Sequence, residues 1–285
     1  MAELKEILEG MKRNAVRLVI GEGDGAEVGR FGGLPDVPED FAWPSFETDT
    51  IFDDTVKLRP LSFLAQFDCV ALAALDGDGL LPHEGVLSFF YELGSQRWGY
   101  DPKDAGCARV YWFLDKAALS PRELPEDMEE DWRLPSLAIY GRQSVEYPSS
   151  EEFPLSFLKS LPETANGWTA LNRARNALRG YAEEPTPYHR LLGWPDIIQN
   201  GMAQQCELVS RGYYLGGSGD IPQEVLDETD LSAPEDWQLL FQLDSFHAGG
   251  FELMFGDCGS VYFYIRKEDL AVRRFDRVWL ILQCC

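Results

Sequence analysis

The sequence predicts an α+β fold with mainly antiparallel sheets and an internal duplication, whose two halves are related by a pseudo-twofold axis. Strand-like apolar runs outnumber helix-like ones, and their spacing is typical of hairpins rather than of strictly alternating strands and helices. Four short blocks also recur in the same order, beginning at Gly33, Leu64, Gly85 and Arg109 and again at Gly193, Leu240, Gly259 and Arg277. Because the order is kept while the loops differ in length, these blocks indicate two related halves.

The composition is that of a globular protein with an acidic charge balance. The 285 residues are 45% hydrophobic and 13% aromatic, which is enough to form a sizeable core. With 48 acidic and 25 basic residues, the formal net charge is −23. A charge of this sign repels nucleic acid and favours a basic protein as partner. The alternative is that the acidity only serves solubility.

The sequence predicts neither a membrane span nor an export signal. No run approaches the roughly 18 apolar residues that a transmembrane helix needs. Residues 1–5 lack a basic segment followed by an apolar one, so they do not read as a secretory signal. We therefore expect a cytoplasmic protein without a membrane partner, whose six cysteines are thiols.

Residues 1–30 are predicted to form a helix and a strand that pack on the core. Apolar residues recur at helical spacing over positions 4–11, and the apolar run 16–20 indicates a strand. The glycine-rich residues 21–29 have some likeness to a dinucleotide-binding loop, but Val28 occupies the position of the third glycine. We interpret these residues as a glycine-rich turn.

Residues 31–150 are predicted to form the first repeat half. The apolar runs 61–68, 85–92 and 108–114 indicate three strands, of which the first two look paired. Residues 121–135 are rich in acidic side chains and are expected to form a solvated link.

Residues 151–188 are predicted to bridge the halves, and residues 189–285 to form the second repeat half. The bridge contains a basic helix at 168–181, and three of its arginines are expected to be exposed and paired with acidic residues: Arg173, Arg175 and Arg179. In the second half we expect a short helix at 222–230 and strands at 237–244, 260–266 and 277–283. The whole chain is expected to form one structural unit.

The sequence offers no catalytic constellation. The histidines His83, His189 and His247 have no serine or cysteine in a nucleophile elbow, and the cysteines form no Cys-x-x-Cys pair. Residues 76–79 resemble part of a calcium loop but lack the remaining ligands and spacing. We therefore predict no catalytic residue, no metal ligand and no cofactor.

Acidic residues in the repeated blocks are better candidates for a binding site. Asp68 and Asp244 end matching strands, so a pseudo-twofold axis could bring them together around a metal ion or a cationic group. The alternative is that each accepts hydrogen bonds from backbone N–H groups in a turn. Gln66 and Gln242, on the same strands, are expected to make buried hydrogen bonds that fix the register.

The predicted ligand site combines residues of the second half in a cleft between the halves. Its candidates are His189, Arg190, Trp194, Asp196, Gln242, Asp244 and Asp257. Its carboxylates suit a metal ion or a cation. The pair of His189 and Arg190 suits an anion instead.

Several longer motifs are shared with a known family. They are FGGLP at 31–35, LSFLAQ at 61–66, HRLLGWPD at 189–196, CELVS at 206–210 and WLILQC at 279–284. In these motifs the chain resembles the YwqG-like family, a bacterial family of undefined function. The resemblance implies an α+β fold with an internal duplication. Some members are encoded near secreted polymorphic toxins, which implies an immunity or partner-binding role, and no catalytic residues are implied.

Two hypotheses for the function follow. The first is a non-enzymatic cytoplasmic binding protein that presents an acidic surface to a basic protein partner such as a toxin. The alternative is a small-ligand or metal-binding protein, which could be an enzyme, with its site in the cleft between the halves.

Overall fold

The computed structural model describes residues 2–153, 155–160, 167–179, 187–217 and 221–285. Within them the helices are α1 (Ala2–Gly10), α2 (Cys69–Ala73), α3 (Leu155–Ser160), α4 (Gly167–Arg179), α5 (Met202–Ser210), α6 (Gln223–Asp236) and α7 (Lys267–Ala271). One large sheet contains β1 (Arg13–Ile20), β2 (Ala26–Phe31), β6 (Ser62–Asp68), β7 (Val86–Tyr91), β8 (Ala108–Phe113), β10 (Leu137–Glu146), β11 (Arg190–Leu192), β12 (Trp237–Asp244), β15 (Ser260–Arg266) and β16 (Trp279–Gln283). Three two-stranded ribbons pair β3 (Asp36–Val37) with β9 (Ser120–Pro121), β4 (Ser45–Thr48) with β5 (Lys57–Pro60), and β13 (Phe246–Ala248) with β14 (Phe251–Leu253).

The large sheet is antiparallel throughout. Its strand order is β16-β15-β12-β11-β1-β10-β2-β6-β7-β8, and every neighbouring pair runs antiparallel. The predicted α+β class with mainly antiparallel sheet is therefore confirmed.

The strand order is symmetric about the central pair β1 and β10. Each side has one further strand, β11 or β2, followed by a three-stranded meander. The two meanders share a register irregularity, between Phe63 and Ala65 in one and between Leu239 and Phe241 in the other. This order favours the internal duplication, which stays a prediction.

The last of the recurring sequence blocks is displaced in the sheet. Phe90 pairs with Arg109, whereas the matching Tyr264 pairs with Trp279. The ladder therefore places Trp279, and not Arg277, in the position that corresponds to Arg109. Arg277 lies instead in a short 3₁₀ turn, so the final strand begins two residues later than the sequence predicts.

The two ends of the sheet pack face to face around four buried phenylalanine rings. Phe89 of β7 lies 4.8 Å from Phe241 of β12 and 5.2 Å from Phe263 of β15, measured between ring centroids. Phe67 of β6 lies 5.4 Å from Phe241. These contacts join strands that are far apart in the strand order, so the sheet is strongly curled. Ring pairs at these distances stabilise the fold beyond the burial of their area.

The loop after β7 also holds the opposite edge strand. The Leu282 N–H donates to the carbonyl oxygen of Trp98 at 3.0 Å, and Trp279 Nε1 donates to that of Gly99 at 2.9 Å. Gly99 has a φ of +75°, and a Cβ there would lie 1.8 Å from the carbonyl oxygen of Leu280. Only glycine fits this close approach.

Most predicted elements are present. The strands 237–244 and 260–266 have the predicted bounds, and α1 lies where helical spacing indicates it. The helix predicted at 222–230 continues as α6 to Asp236. No helix in the described ranges is long and apolar enough to cross a membrane.

The basic helix α4 differs from its prediction in exposure. Arg173 is exposed, but Arg175 is only 8% exposed, because α4 packs beside α1 through Leu171 and Ala174. The expectation of exposed arginines was therefore wrong for Arg175 and for Arg179, whose side chain is only 5% exposed. Residues 180 and 181 of the predicted helix lie outside the described residues.

Candidate functional site

A group of buried ion pairs joins β10, β11 and α4. Arg190 in β11 is completely buried; its guanidinium group pairs with Asp196 and with Glu146, the latter at 3.3 Å, and donates to the carbonyl oxygen of Trp194 at 2.6 Å. Glu146, at the end of β10, is also buried and pairs with Arg179 at 2.6 Å. Because a buried charge is costly unless it is paired, these contacts make the burial tolerable.

Asp196 receives hydrogen bonds from three arginines. Arg175 donates at 2.7 Å and Arg179 at 3.0 Å, and Arg190 donates to the second carboxylate oxygen. Burial opposes ionisation of Asp196, but the three guanidinium groups outweigh it and hold its pKa well below the usual range. We call Glu146, Arg175, Arg179, Arg190 and Asp196 the ion-pair cluster.

A buried glutamine connects each meander to the loop of the neighbouring strand. Gln242 Oε1 accepts from the backbone N–H of Asp196 at 3.0 Å, and Gln66 Oε1 accepts from that of Asp36 at 3.1 Å. Asp36 pairs with Arg30 at 2.9 Å, as Asp196 pairs with an arginine of the ion-pair cluster. Both glutamines are buried, so the prediction that they make buried hydrogen bonds is confirmed.

His189 is a buried, neutral side chain. Its Nδ1 accepts a hydrogen bond from the backbone N–H of Asp244 at 3.1 Å, and its ring packs edge-on against Phe246 at 5.2 Å. Burial lowers the pKa of His189 to about 4. The imidazole therefore serves as a hydrogen-bond acceptor that positions β12.

We expect the free energy of unfolding to fall by about 2 kcal/mol between neutral pH and about pH 5 through His189 alone. The unfolded chain takes up a proton near the ordinary pKa of 6.5, whereas the folded chain does so only near 4. The unfolded state thus binds more protons in this range, and stability is lost as the pH falls. Urea unfolding at both pH values should show a smaller difference for His189→Gln than for the wild type. His83→Gln, at an exposed histidine, is the control; an unchanged difference in His189→Gln would contradict the prediction.

A cleft of about 840 Å³ lies between α4 and the second half of the chain. Polar groups at its floor include Asp196, Gln242, Asp244 and Ser260. Its apolar walls are formed by Ile197, Ile198, Phe246, Leu253 and Met254. A concave site of this size with a few convergent polar groups is typical of small-ligand sites.

The structure divides the seven ligand-binding candidates into three groups. Asp196, Gln242 and Asp244 line the cleft. His189, Arg190 and Trp194 are buried and are not among the residues that line it. Trp194 Nε1 donates to the carbonyl oxygen of Met11 at 2.7 Å, which is a structural contact. Asp257 does not join them: it lies in an exposed turn, where its carbonyl oxygen accepts from the Cys285 N–H at 3.2 Å.

The two carboxylates of the matching strands have different roles. Asp68 caps α2 by accepting from the Val70 N–H at 2.9 Å and pairs with Lys116, so the capping interpretation is confirmed for it. Asp244 instead accepts from the Tyr188 N–H at 2.6 Å. Across the described ranges, no group of three or more histidine, cysteine or acidic side chains is placed to hold a metal ion.

Sequence reasoning missed a second surface, on the hairpin of β4 and β5. Four apolar side chains there are exposed, namely Ile51 (58%), Phe52 (80%), Val56 (62%) and Leu58 (64%). Four carboxylates belong to the same hairpin: Glu47, Asp49, Asp53 and Asp54. We call these eight residues the hairpin surface. The available signal was the mixture of acidic residues, threonines and large apolar residues over 47–58.

The hairpin surface is held firmly and adjoins the cleft. Arg59 is buried and pairs with Asp53 at 2.9 Å and with Glu129 at 2.7 Å. The Ile51 N–H donates to the carbonyl oxygen of Gly94 at 3.1 Å. Two residues further on, Gln96 Nε2 donates at 3.1 Å to the carbonyl oxygen of Met254, a residue of the cleft wall.

Comparison with known proteins places the chain in a family whose function is open. No curated protein matches it. A family model described as "Domain of unknown function (DUF1963)" matches residues 29–284, which is nearly the whole chain. The chain therefore belongs to the DUF1963 family.

Proposed function

We propose that this protein is a non-enzymatic binding protein that docks a basic protein partner on the hairpin surface. The observation that supports this is the exposure of four large apolar side chains within eight consecutive positions, 51–58. Exposed apolar patches with a polar rim are typical of protein interaction sites. Phe52 is 80% exposed, so we expect its ring to insert into a pocket of the partner.

Charge indicates which kind of partner would fit. Four carboxylates lie in the same hairpin as the apolar side chains, of which Asp49 and Asp53 pair with Arg97 and Arg59. The protein as a whole has a formal net charge of −23. Such a field accelerates association with a basic protein and repels an acidic one, and both effects weaken as salt is added. The resemblance to the YwqG-like family favours a toxin as this partner, with the complex forming in the cytoplasm.

Affinity capture from a lysate of the source organism tests the proposal. We expect immobilised wild-type protein to retain a basic protein in stoichiometric amount at low salt and to release it at high salt. Phe52→Ser should weaken binding of that protein by about 2 kcal/mol, which is roughly 30-fold in Kd. Val272→Ser, which alters another exposed apolar side chain (67%) outside the hairpin, is the matched control.

Three results would count against docking on the hairpin surface. They are recovery of no stoichiometric protein, recovery of an acidic one, and equal binding by Phe52→Ser and the wild type. A loss of binding in Val272→Ser as large as that in Phe52→Ser would show that the effect is not specific to the hairpin surface.

As a second candidate function, we propose that the cleft beside the ion-pair cluster binds a small ligand. The cleft volume of about 840 Å³ and the mixture of polar floor and apolar wall support this proposal. It does not depend on the hairpin surface, so either proposal can fail alone. The titrations described in the next subsection test it.

A further inference from the structure

We infer that the cleft recognises an organic cation, an ammonium or guanidinium group on an apolar body, through the carboxylate of Asp244. This inference rests on the second proposed function, that the cleft holds a ligand. Two sources share this chemistry, a free amine and a lysine or arginine side chain of a protein partner.

The carboxylates at and beside the cleft differ in their partners. Asp196 and Glu146 are paired with arginines of the ion-pair cluster. Asp244 receives hydrogen bonds from neutral donors: the Tyr188 N–H at 2.6 Å, Gln242 Nε2 at 2.8 Å and Ser260 Oγ at 2.7 Å. No lysine or arginine in the described ranges forms an ion pair with it. Asp244 is thus the carboxylate at the cleft that lacks a cationic partner there.

The carboxylate of Asp244 has room for a further hydrogen-bond donor. A carboxylate can accept about four hydrogen bonds, two at each oxygen. Oδ1 of Asp244 accepts two, from Gln242 and Ser260, and Oδ2 accepts one, from the Tyr188 N–H. One acceptor position on Oδ2 is therefore left open by the described residues, and Asp244 lines the cleft at intermediate exposure.

Three basic groups near Asp244 do not form an ion pair with it, namely His189, Arg179 and Arg190. His189 uses Nδ1 to accept from the Asp244 N–H, and burial keeps its ring neutral at neutral pH. Arg179 lines the cleft, but it pairs with Glu146 at 2.6 Å and with Asp196 at 3.0 Å. Arg190 is completely buried behind the floor.

The ion-pair cluster favours a competing ligand class, an anion, because its three guanidinium groups meet only two carboxylates. Those guanidinium groups, however, face Asp196 and Glu146, and Arg175 is nearly buried. Among the described residues that line the cleft, the lysine, arginine and acidic side chains are Arg179, Asp196 and Asp244, which sum to one negative charge. The cation is therefore the better match.

The apolar side chains that line the cleft indicate that the cationic group is attached to an apolar body. Ile197, Ile198, Phe246, Leu253 and Met254 would pack against a hydrocarbon or aromatic body. Met254 also contacts Gln96 beside the hairpin surface, so a protein docked there could extend a basic side chain into the cleft. A free amine of the same size fits the same contacts.

Calorimetric titration of the full chain with three matched probes tests the inference. The probes are phenethylamine, its neutral isostere 2-phenylethanol, and phenylacetate. We expect saturable binding of the amine, at least about tenfold weaker binding of the alcohol, and no binding of the acid. A peptide with lysine between apolar residues is then compared with acetyl-lysine amide to distinguish the two sources. If the natural ligand is a side chain of a protein partner, we expect the peptide to bind more tightly.

Variants assign the binding to the carboxylate. Asp244→Asn should weaken amine binding about tenfold or more, whereas Asp257→Asn, at an exposed aspartate in a nearby turn, should leave it unchanged. Because an asparagine amide could disturb the contacts with Gln242 and Ser260, the comparison of the amine with the alcohol on the wild type provides a test that needs no variant.

Each contrary outcome has a distinct meaning. Equal binding of amine and alcohol would overturn the cation inference and leave a ligand-binding cleft. Preferential binding of phenylacetate would overturn it in favour of an anion site. Absence of binding by all probes would overturn both the inference and the second proposed function, without affecting docking on the hairpin surface.

Discussion

Replacing Arg190 with methionine is expected to lower the free energy of unfolding by about 3–5 kcal/mol. The guanidinium group is completely buried, and its removal takes one cation from both Glu146 and Asp196. It also leaves the carbonyl oxygen of Trp194 without its donor at 2.6 Å. Methionine fills much of the volume of the arginine side chain. The lost free energy of unfolding therefore comes mainly from the missing ion pairs and hydrogen bond rather than from a cavity.

Arg30→Met is the matched control, and chemical denaturation of both variants is the measurement. Arg30 occupies the corresponding place beside Gln66 and pairs with Asp36 at 2.9 Å, but its side chain is 31% exposed. Solvent can replace its lost contacts, so we expect a cost of roughly 1 kcal/mol or less. Equal losses in the two variants would contradict the view that burial makes the ion-pair cluster critical.

Replacing Phe241 with alanine is expected to cost about 3–5 kcal/mol of unfolding free energy. The ring is fully buried and lies between Phe67, Phe89 and Phe263, at 5.4, 4.8 and 5.8 Å between centroids. The substitution removes contacts within one meander and between the two ends of the curled sheet. A cavity remains because close-packed strands relax only in part.

Urea denaturation of Phe241→Ala measures the loss, and Phe52→Ala is the control for the residue type. Phe52 is 80% exposed in the hairpin surface, so its truncation should change stability by no more than about 0.5 kcal/mol. If Phe241→Ala were as stable as Phe52→Ala, the face-to-face packing of the meanders would not hold the sheet together.

Local patterns predict the strands well and the candidate site only in part. Apolar runs bounded by acidic or glycine residues place the strands 237–244 and 260–266 to the residue. Gln66 and Gln242 are recognisable as polar residues within apolar strands, and both make the buried hydrogen bonds that such residues need. Asp244 and Asp257 look alike in sequence, yet only the first lines the cleft, because strand pairing decides which side chains meet.

Exposure is the property that local patterns predict least. Phe52 and Phe241 both follow apolar neighbours, but one is in a hairpin tip and the other at the centre of the core. Arg175 lies on a helix that the sequence predicts to be exposed, but it is buried and pairs with Asp196. Such contacts join residues far apart in the chain, so their partners are not visible in a short window.

The sequence alone determined the α+β class, the antiparallel strands and the acidic charge, because periodicity, turn residues and composition are local or additive properties. The tertiary structure decided that three arginines surround Asp196, that Asp244 lines the cleft without a cationic partner in the described ranges, and that the hairpin surface stays exposed. These facts depend on which distant strands and helices pack together, and that choice is made by the free energy of the whole fold rather than by any one segment.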